Sequence, residues 1–314
     1  MMNKHSPAVE ISIVVPLYNE QENVEPLLER IQKTLSRLNR SYEIIFVDDG
    51  STDESFEVIR RLHDRHEAVR AVRFRKNHGK SAALAVGFQE ARGEVIITMD
   101  ADLQDDPEEI PNLLNKLEEG YDLVSGWKHK RHDPISKTLP SKVFNRITCL
   151  ISGIRIHDIN CGLKAYRREV TENIQVYGEL HRYLPVLAHW KGFRITEIKV
   201  RHHPRLHGRS KFGTGRFVKG FLDLLTVTFL TQFTRRPMHL FGVLGLILFS
   251  IGLIINLYLT WLWVHGVGIG HRPLLFLGIL LVMVGAQFLL MGLIGEMITH
   301  RDRTGQDYSI GERL

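Results

Sequence analysis

The chain has 314 residues, of which 44% are hydrophobic and 24% charged, and its formal net charge is +6. This composition can supply a hydrophobic core and argues against a disordered chain. The two cysteines, Cys149 and Cys161, show neither C-x-x-C spacing nor the density of a disulfide scaffold. We therefore expect two free thiols and no metal-thiolate site.

Strand-like and helical runs alternate through the first part of the chain. The strand-like runs are ISIVVPL, YEIIFVDD, VRAVRFR, VIITMD and DLVSG, and the helical runs are NVEPLLERIQKTLSRL, DESFEVIRRLHDRH, SAALAVGFQEA and PEEIPNLLNKLEE. Runs such as IIFV are apolar at successive positions, which is typical of a mostly parallel sheet with helices on both faces. The sequence therefore predicts an α/β domain whose ligand site lies beyond the carboxyl ends of its strands.

The fourth strand-like run ends in a D-x-D pair, Asp100 and Asp102. A turn at a strand end lets both carboxylates face one cavity, where an uncompensated pair of charges is costly. A hard divalent ion, Mg²⁺ or Mn²⁺, bridging to a diphosphate is the natural partner, and Gln104 can add an oxygen ligand. The next two acids, Asp105 and Asp106, are interpreted as the start of the following helix.

The second strand-like run ends in Asp48 and Asp49, which allow two interpretations. The segment DDGSTD can be a turn in which Asp53 caps a helix. Alternatively, carboxylates at this edge of the sheet can bind base or ribose hydroxyls.

Two nucleotide motifs are excluded by spacing. The tripeptide Gly79-Lys80-Ser81 resembles the end of a P-loop, but Phe74 occupies the position of the required first glycine. No G-x-G-x-x-G follows the first strand, which argues against a dinucleotide site.

Beyond residue 127 the alternation weakens. A basic loop, KHKRHDPISK, precedes a predicted helix around 143–151 and a predicted strand near 195–200. The segment RLHGRSK has the chemistry of a phosphate pocket or of general attraction to anionic headgroups. Nucleic acid is not expected, because aromatic interleaving and binding motifs are absent from the sequence. The nearby histidines are expected in a solvated loop rather than at a metal: His202, His203 and His207.

Two apolar runs follow, at about 240–264 and 273–298, and each is about 25 residues long, enough to span a bilayer. Two buried helices of a soluble domain would usually be shorter and carry polar stripes. The segment before them, FVKGFLDLLTVTFLTQF, is expected either at headgroup level or packed on the catalytic domain.

Charge placement predicts the topology. Arg235 and Arg236 precede the first span and Arg301 and Arg303 follow the second, which places both ends of the hairpin in the cytoplasm. The N-terminus, MMNKHSPAVE, lacks a signal-peptide pattern, so we expect the first domain in the cytoplasm of an inner-membrane protein. The expected organisation is a catalytic domain, a juxtamembrane segment, two transmembrane helices and a cytoplasmic tail, at 1–211, 212–236, 237–300 and 301–314.

Six motifs occur in a specific order: VVPLYNEQENV, FVDDGSTD, RKNHGKSAAL, MDADLQDDPEE, DINCGLKAYRR and RLHGRSKFG. In this order they resemble glycosyltransferase family 2, and within it the polyprenyl-phosphate glycosyltransferases. That group includes dolichol-phosphate mannose synthases and bacterial undecaprenyl-phosphate sugar transferases. The resemblance covers essentially the whole chain, including the two-helix anchor of bacterial members.

The resemblance implies a GT-A fold and assigns roles to individual residues. The implied nucleotide-sugar residues are Pro16, Tyr18, Glu20, Val47, Asp49, Asp100, Ala101 and Asp102. The implied metal ligands are Asp100, Asp102 and Gln104, and the implied acceptor-phosphate residues are Lys128, Arg131, Arg205, Ser210 and Lys211. The implied catalytic set is Asp100, Asp102, Arg131, Arg205 and Lys211. Two positions depart from the family: Asp106 replaces a usual proline, and Lys128 replaces a frequent arginine and loses its bidentate geometry.

The implied reaction is attack of a lipid phosphate on the anomeric carbon, with inversion and loss of a nucleoside diphosphate. The nucleophile is already an anion, so a general base is not required, and Asp158 has either a base-like role or a turn role. We expect a UDP-sugar donor and undecaprenyl phosphate as acceptor at the cytoplasmic membrane face. A homo-oligomer and a flippase are further candidate partners.

Two other functions stay open. A transferase to a sugar hydroxyl would carry a Q-x-x-R-W motif, and the segment Gln232-Phe-Thr-Arg235-Arg236 lacks its tryptophan. A non-catalytic nucleotide-sugar sensor or flippase scaffold would have lost its metal ligands, whereas all three are present.

Overall fold

The computed structural model of the chain describes residues 9–129, 145, 148–149, 152–178, 180–204, 237–270 and 272–302. The chain forms two compact units, Met1–Leu224 and Leu225–Leu314. The predicted juxtamembrane segment at 212–236, most of the predicted helix around 143–151 and the tail beyond 302 lie outside the described residues.

The first unit alternates strands and helices. Its strands are β1 (Ile11–Leu17), β2 (Tyr42–Asp48), β3 (Val69–Arg73), β4 (Val95–Thr98), β5 (Leu123–Lys128), β6 (Lys164–Arg167) and β7 (Ile195–Val200). Its helices are α1 (Val24–Leu35), α2 (Ser55–Arg65), α3 (Lys80–Glu90), α4 (Ile110–Glu118), α5 (Arg168–Asn173) and α6 (Leu184–Trp190). Short 3₁₀ turns occupy Pro107–Glu109 and Leu180–Arg182.

In the described part of the chain, the seven strands form one sheet in the order β3-β2-β1-β4-β6-β5-β7. The strands pair in parallel except β6, which runs antiparallel to both β4 and β5. The carboxyl ends of β1, β2 and β4 therefore meet at one edge, where a ligand site is expected. The predicted α/β class with a mostly parallel sheet is confirmed.

A hydrophobic core covers each face of the sheet. The β1 side chains alternate between the two cores: Ile13 and Val15 pack with α1, α2 and α4, whereas Val14 packs with α3. Every residue of β1 is buried, as expected for a strand with helices on both faces. This double coverage fixes the strand register, because a slip by one residue would exchange the two faces.

Two elements differ from expectation. The run PEEIPNLLNKLEE does not form one helix, because Pro111 lacks the N–H that a continuing helix needs, and α4 begins only at Ile110. Strand β6 was not predicted from local pattern. Its four residues are too short to show a period, and only pairing with β4 and β5 defines it.

The second unit contains two long apolar helices, α7 (Pro237–Val264) and α8 (Pro273–Asp302). The stretches Pro237–Val264 and Pro273–Ile298 have mean hydropathies of 2.5 and 2.6 and are long enough to cross a membrane. Large apolar side chains such as Ile254, Trp263 and Phe276 are mostly exposed. An exposed apolar surface this extensive is typical of helices that face lipid, not of buried helices in a soluble domain.

Glycines line the contact between α7 and α8. A side-chain carbon on Gly285 would lie 2.5 Å from the backbone nitrogen of Phe249, and one on Gly252 would lie 2.7 Å from that of Val282. Both distances are too short for a real side chain, so the two backbones approach closely only because these positions are glycine. Small residues allow such close packing where the hydrophobic effect between helices is weak.

We expect the substitution Gly285→Val to weaken the α7–α8 pair by about 1–3 kcal/mol, because the backbones must separate to admit the side chain. Unfolding of the purified protein in mixed micelles, followed by helical circular dichroism, measures this loss. The matched control is Gly268→Val, since no atom lies within 4 Å of a side-chain carbon there. Equal unfolding curves for both variants would show that the helices do not pack through Gly285.

Candidate active site

The site begins where β1 and β2 end, and hydrogen bonds join the two strand ends. Asn19 has a positive φ of 54°, which turns the chain sharply after β1. Its amide nitrogen donates to Ser51 Oγ at 2.9 Å, and its side-chain oxygen accepts from the Thr52 amide at 2.8 Å. The predicted nucleotide residues Tyr18 and Glu20 flank this turn, so they lie at the edge where the parallel strands end.

Asp48 and Asp49 have separate structural partners. Asp48 Oδ1 accepts from the Ser51 amide at 2.9 Å, which is the turn interpretation of this segment. Asp49 accepts from the amides of His78 and Gly79 at 2.7 and 2.8 Å. Asp49 therefore holds the loop that leads into α3. Its contact with a nucleotide stays a prediction.

Asp53 is not the helix cap that the sequence suggested, because Glu54 occupies the N-cap position of α2 and Asp53 lies one residue before it. Its Oδ1 accepts from the Ser55 amide at 3.0 Å, and Ser55 is the first residue of α2. Its Oδ2 accepts from the Gln21 amide at 3.4 Å, which links α2 to the turn after β1.

Asp100, directly after β4, forms an ion pair with Lys80, the first residue of α3. Partial burial would raise the pKa of Asp100, but the ammonium groups of Lys80 and Lys128 lower it well below its usual range. Asp100 is therefore a carboxylate at any physiological pH. A side-chain carbon on Gly162 would lie 2.6 Å from this carboxylate, so a larger residue there would displace the Asp100 side chain.

Asp102 and Gln104 follow in a tight turn. Leu103 is buried and has a positive φ of 61°, which costs about 1 kcal/mol or more for a residue with a side chain. Asp102 Oδ1 accepts from the Gln104 amide at 3.2 Å, and Gln104 Nε2 donates to the His203 carbonyl at 3.4 Å. The turn brings both carboxylates of the D-x-D pair to the end of β4, as the sequence predicted.

Asp105 is not part of a helix start, and that interpretation was wrong. It is 1% exposed, and its Oδ1 lies 3.2 Å from Nζ of Lys128. Burial disfavours the charged form of Lys128, but Asp105 and neighbouring acids raise the pKa of Lys128 above its usual value. Lys128, expected at the acceptor phosphate, is therefore a mostly buried cation at the end of β5 that already pairs with a carboxylate.

Asp106 does cap the following 3₁₀ turn, as predicted, with its Oδ1 accepting from the Glu108 amide at 3.0 Å. Its Oδ2 also lies 3.1 Å from His203 Nε2 and 3.3 Å from Arg201 Nε. His202 Nδ1 lies 3.1 Å from the Gln104 carbonyl. His202 and His203 therefore tie the segment after β7 to the D-x-D turn, and the His203 side chain remains 45% exposed.

A cavity of about 110 Å³ lies beside Asp100 on the α3 face of the sheet. The lining comes from α3, from β4 and the residues after it, from β6 and from the turn at 180–182. The charged and titratable lining residues include Lys80, Asp100, Lys164, His181 and Arg182. Burial lowers the pKa of Lys164, whose ammonium donates to the Cys161 carbonyl. No role was predicted for Lys80, Lys164, His181 or Arg182, although Lys80 and Lys164 lie inside two of the six motifs.

His181 is held by α3. Ser81 Oγ lies 2.9 Å from His181 Nδ1 and accepts from the His181 amide at 3.1 Å. Burial, with Lys80 and Arg182 nearby, lowers the pKa of His181 well below its usual value, so the ring is neutral. Nδ1 is therefore the ring nitrogen that contacts Ser81.

Asp158 is 1% exposed, and its Oδ1 accepts from the Asn160 amide at 3.1 Å, a contact typical of a turn, while its base-like role stays a prediction. Both cysteines are free thiols, as expected. Burial raises the pKa of the Cys161 thiol to about 12, so this residue lines the cavity as an apolar group.

The end of β4 suits a divalent ion. Asp100 and Asp102 supply hard oxygen donors, and the depressed pKa of Asp100 keeps that donor anionic. The described residues hold no group of three or more His, Cys, Asp or Glu side chains placed around one metal position. These residues therefore suit an ion that takes its remaining oxygen ligands from a bound diphosphate.

The structure brings together the predicted donor residues Pro16 and Asp100, which both line the cavity. Val47 and Asp49 lie at the end of β2, and Ala101 is buried beside Asp100. The remaining predicted acceptor residues lie outside the described residues: Arg131, Arg205, Ser210 and Lys211.

Comparison with known proteins decides the family. The profile of Glycosyl transferase family 2 matches residues 12–175, which is the part of the chain that builds β1 to β6. The chain belongs to glycosyl transferase family 2. The resemblance seen in the six motifs is thereby confirmed, and the chain is a glycosyltransferase.

Relatives extend the match to nearly the full length. A dodecaprenyl-phosphate galacturonate synthase from Rhizobium johnstonii is 38% identical over 312 residues, covering 96% of this chain and 92% of the relative. An undecaprenyl-phosphate 4-deoxy-4-formamido-L-arabinose transferase from Pseudomonas fluorescens is 35% identical and covers 94% and 86%. Both are named for transfer involving a polyprenyl phosphate.

Solved structures confirm the predicted GT-A fold. Glucosyl-3-phosphoglycerate synthase from Mycobacterium tuberculosis matches with a TM-score of 0.54 and 20% identity, covering 70% of this chain and 80% of that one. The same enzyme in complex with Mn²⁺, UDP-glucose and glycerol 3-phosphate matches with a TM-score of 0.52. At this identity the likeness establishes the fold alone.

We expect Asp105→Asn to destabilise the protein by about 3 kcal/mol, because it leaves the mostly buried ammonium of Lys128 without its carboxylate. Chemical denaturation of the purified protein measures the change. The matched control is Glu118→Gln, whose carboxylate is 57% exposed and pairs with Arg40 at the surface. We expect a loss of at most about 1 kcal/mol there, and an equal effect of both variants would contradict a structural role for Asp105.

Proposed function

We propose that the chain transfers a sugar from a nucleotide sugar, expected to be UDP-linked, to a polyprenyl phosphate such as undecaprenyl phosphate. One observation carries the proposal: Asp100 and Asp102 end a central strand beside a charged cavity in a family 2 domain. The acceptor class is supported by relatives named for polyprenyl phosphate, which the chain matches through its apolar hairpin as well as its catalytic domain.

The donor half of the proposal rests on the edge formed by β1, β2 and β4. The polar turn at Asn19, the carboxylate of Asp49 and the D-x-D pair all lie at the carboxyl ends of these parallel strands. Nucleotides bind at such edges in α/β sheets. In our proposal Tyr18 and Glu20 contact the nucleotide, and Asp100 and Asp102 would hold its diphosphate through a cation.

A bound Mg²⁺ or Mn²⁺ would neutralise charge on the leaving diphosphate. Asp100 stays ionised because Lys80 compensates its charge, and the turn at Leu103 keeps Asp102 beside it. The acceptor phosphate is already an anion and needs no base to become a nucleophile. In our proposal Arg131, Arg205 and Lys211 hold this anion against the repulsion of the diphosphate.

The two apolar helices support action at a membrane. The positive residues that flank them support a catalytic domain and both termini on the cytoplasmic side of the inner membrane. A lipid phosphate as acceptor explains why a sugar transferase would carry its own membrane hairpin. A flippase is a proposed partner, because the product would be a lipid-linked sugar, and a homo-oligomer is a further proposal.

The direct test supplies undecaprenyl phosphate to the purified full chain with a panel of UDP- and GDP-sugars and Mg²⁺ or Mn²⁺. We expect a lipid-extractable sugar product that needs both the phosphate and the divalent ion. Undecaprenol, the same lipid without phosphate, serves as the matched acceptor. Transfer to a lipid-linked glycan in place of undecaprenyl phosphate would identify the hydroxyl-acceptor function and overturn the proposal.

We expect Asp102→Asn to lower kcat by at least about 100-fold, because it removes one of two anionic ligands for the cation. The amide oxygen can still accept from the Gln104 amide, so the turn and the fold are retained. Asp64→Asn, an exposed position on α2, is the matched control. Activity close to that of the control, with unchanged Mn²⁺ binding, would remove Asp102 from the metal site.

A further inference from the structure

The ion pair between Lys80 and Asp100 occupies the position that the proposed function assigns to a cation. The Lys80 ammonium contacts Asp100 Oδ1, and the carboxylate also packs against Gly162, where a side-chain carbon would lie 2.6 Å from Oδ2. A cation that used Oδ1 would replace the ammonium, and one that used Oδ2 would lie close beside it. In both cases the ammonium and the cation would compete for one carboxylate.

Two further ammonium groups act on Asp100. Lys128 and Lys164 both favour its ionised form, as Lys80 does. Asp105 compensates the charge of Lys128, but the Lys164 ammonium donates to a carbonyl group, which is a dipole and not an anion. The first carboxylate of the D-x-D pair therefore lies among several positive charges. Such surroundings oppose the binding of a free divalent cation and favour the binding of an anion.

The chain offers few ligands that could outweigh this repulsion. The part of the chain that the structure describes holds no group of three or more His, Cys, Asp or Glu side chains around one metal position. Asp100 and Asp102 are the two anionic ligands of the proposed site. Mg²⁺ held by one or two carboxylates takes its remaining ligands from water and substrate phosphates. A diphosphate would supply both these oxygen ligands and the negative charge that the ammonium groups favour.

The position of Lys80 allows its side chain to respond to such a ligand. Asp49 accepts from the amides of His78 and Gly79, so the backbone just before Lys80 is fixed at the end of β2. The Lys80 side chain is 31% exposed and lines the cavity beside Asp100. A lysine carries its ammonium on a flexible four-carbon stem. The ammonium can therefore leave Asp100 for a neighbouring anion while the backbone of α3 stays in place.

We propose that Lys80 occupies the cation position of the empty site, so that the site takes up a divalent ion only together with the nucleotide diphosphate. This inference rests on the proposed function, because it requires a cation at Asp100. It deepens that function by naming the substrate as the metal complex of the nucleotide sugar. Lys80 is a positioning residue, which compensates Asp100 until the complex arrives and then yields the carboxylate. The anionic diphosphate accepts the released ammonium.

The test measures the dissociation constant of Mn²⁺ for the purified full chain by electron paramagnetic resonance, which reports free Mn²⁺. Titrations are run without nucleotide, with UDP and with GDP, and the Mn²⁺ that each nucleotide binds by itself is determined in protein-free samples and subtracted. Donor sugar and lipid acceptor are left out, so turnover does not contribute. We expect one of the two nucleotides to tighten Mn²⁺ binding by at least about 10-fold, which is within the usual range of coupling between two ligands.

A variant assigns the effect to Lys80. We expect Lys80→Gln to bind Mn²⁺ without nucleotide at least about 10-fold more tightly than the unmodified chain, because it removes the ammonium from the cation position. A damaged site would lose affinity, so a merely structural role does not produce this gain. Lys80→Arg keeps the positive charge and should retain the weak binding. The matched control is Lys116→Gln, since Lys116 pairs with Glu119 and is 30% exposed, and it should leave the constant unchanged.

Two results would overturn the inference. One is an unmodified chain whose Mn²⁺ binding is the same with and without either nucleotide, a comparison that decides the question even if Lys80→Gln does not fold. The other is a Lys80→Gln variant that binds Mn²⁺ without nucleotide no more tightly than the unmodified chain. Absence of a lipid-linked sugar in the assay with undecaprenyl phosphate would instead contradict the proposed function, whatever the Mn²⁺ constants are, so the two failures are distinguishable.

Discussion

The arrangement of the site depends on one constraint: a carboxylate at the end of a central strand must stay ionised. Asp100 follows β4, with strands on both sides and α3 over one face, and burial in this position acts to raise the pKa of the carboxyl group. The ammonium of Lys80 acts in the opposite direction and lowers this pKa, and Asp49 fixes the loop that presents Lys80 by accepting from the amides of His78 and Gly79. Asp49 at the end of β2 thus helps to keep Asp100 ionised at the end of β4.

Further pairs of acidic and basic groups surround Asp100. Asp105 accepts from the Asp100 amide at 3.4 Å and pairs with Lys128 at the end of β5. Asp106 binds Arg201 and His203 after β7. Acidic and basic groups therefore alternate along the edge of the sheet, and the carboxylates of the cluster do not share one function. Asp105 is a buried structural anion and Asp106 caps a turn, whereas Asp100 and Asp102 are the ligands of the cation in our proposal.

The basic residues of the chain lie in three different environments. Some of them are compensated inside the fold by Asp100 and Asp105. Lys164 and Arg182 line the cavity beside Asp100. The arginines that flank the apolar helices suit the headgroup region of a membrane, where basic residues are favoured on the cytoplasmic side.

The sequence by itself determined the α/β class, the D-x-D pair, the two apolar helices and the family, because strand burial, helix length and motif order are local properties of the chain. It could not determine β6, which exists only through its pairing with β4 and β5. Nor could it separate Asp105 from the helix cap at Asp106. Asp105 and Asp106 are adjacent in the sequence, so a local pattern treats them alike. Only the ion pair of Asp105 with Lys128, which the folded sheet brings close, distinguishes them.

The basic residues that line the cavity could not be predicted from the sequence either. Lys80, Lys164 and Arg182 lie far apart in the chain, and no local pattern marks them as members of one charged wall. Only the antiparallel insertion of β6 beside β4, with α3 packed on the same face, brings them around Asp100. Sequence fixes which charges are available, whereas tertiary structure decides which of them are buried together, because burial and pairing depend on distances that the chain reaches only when folded.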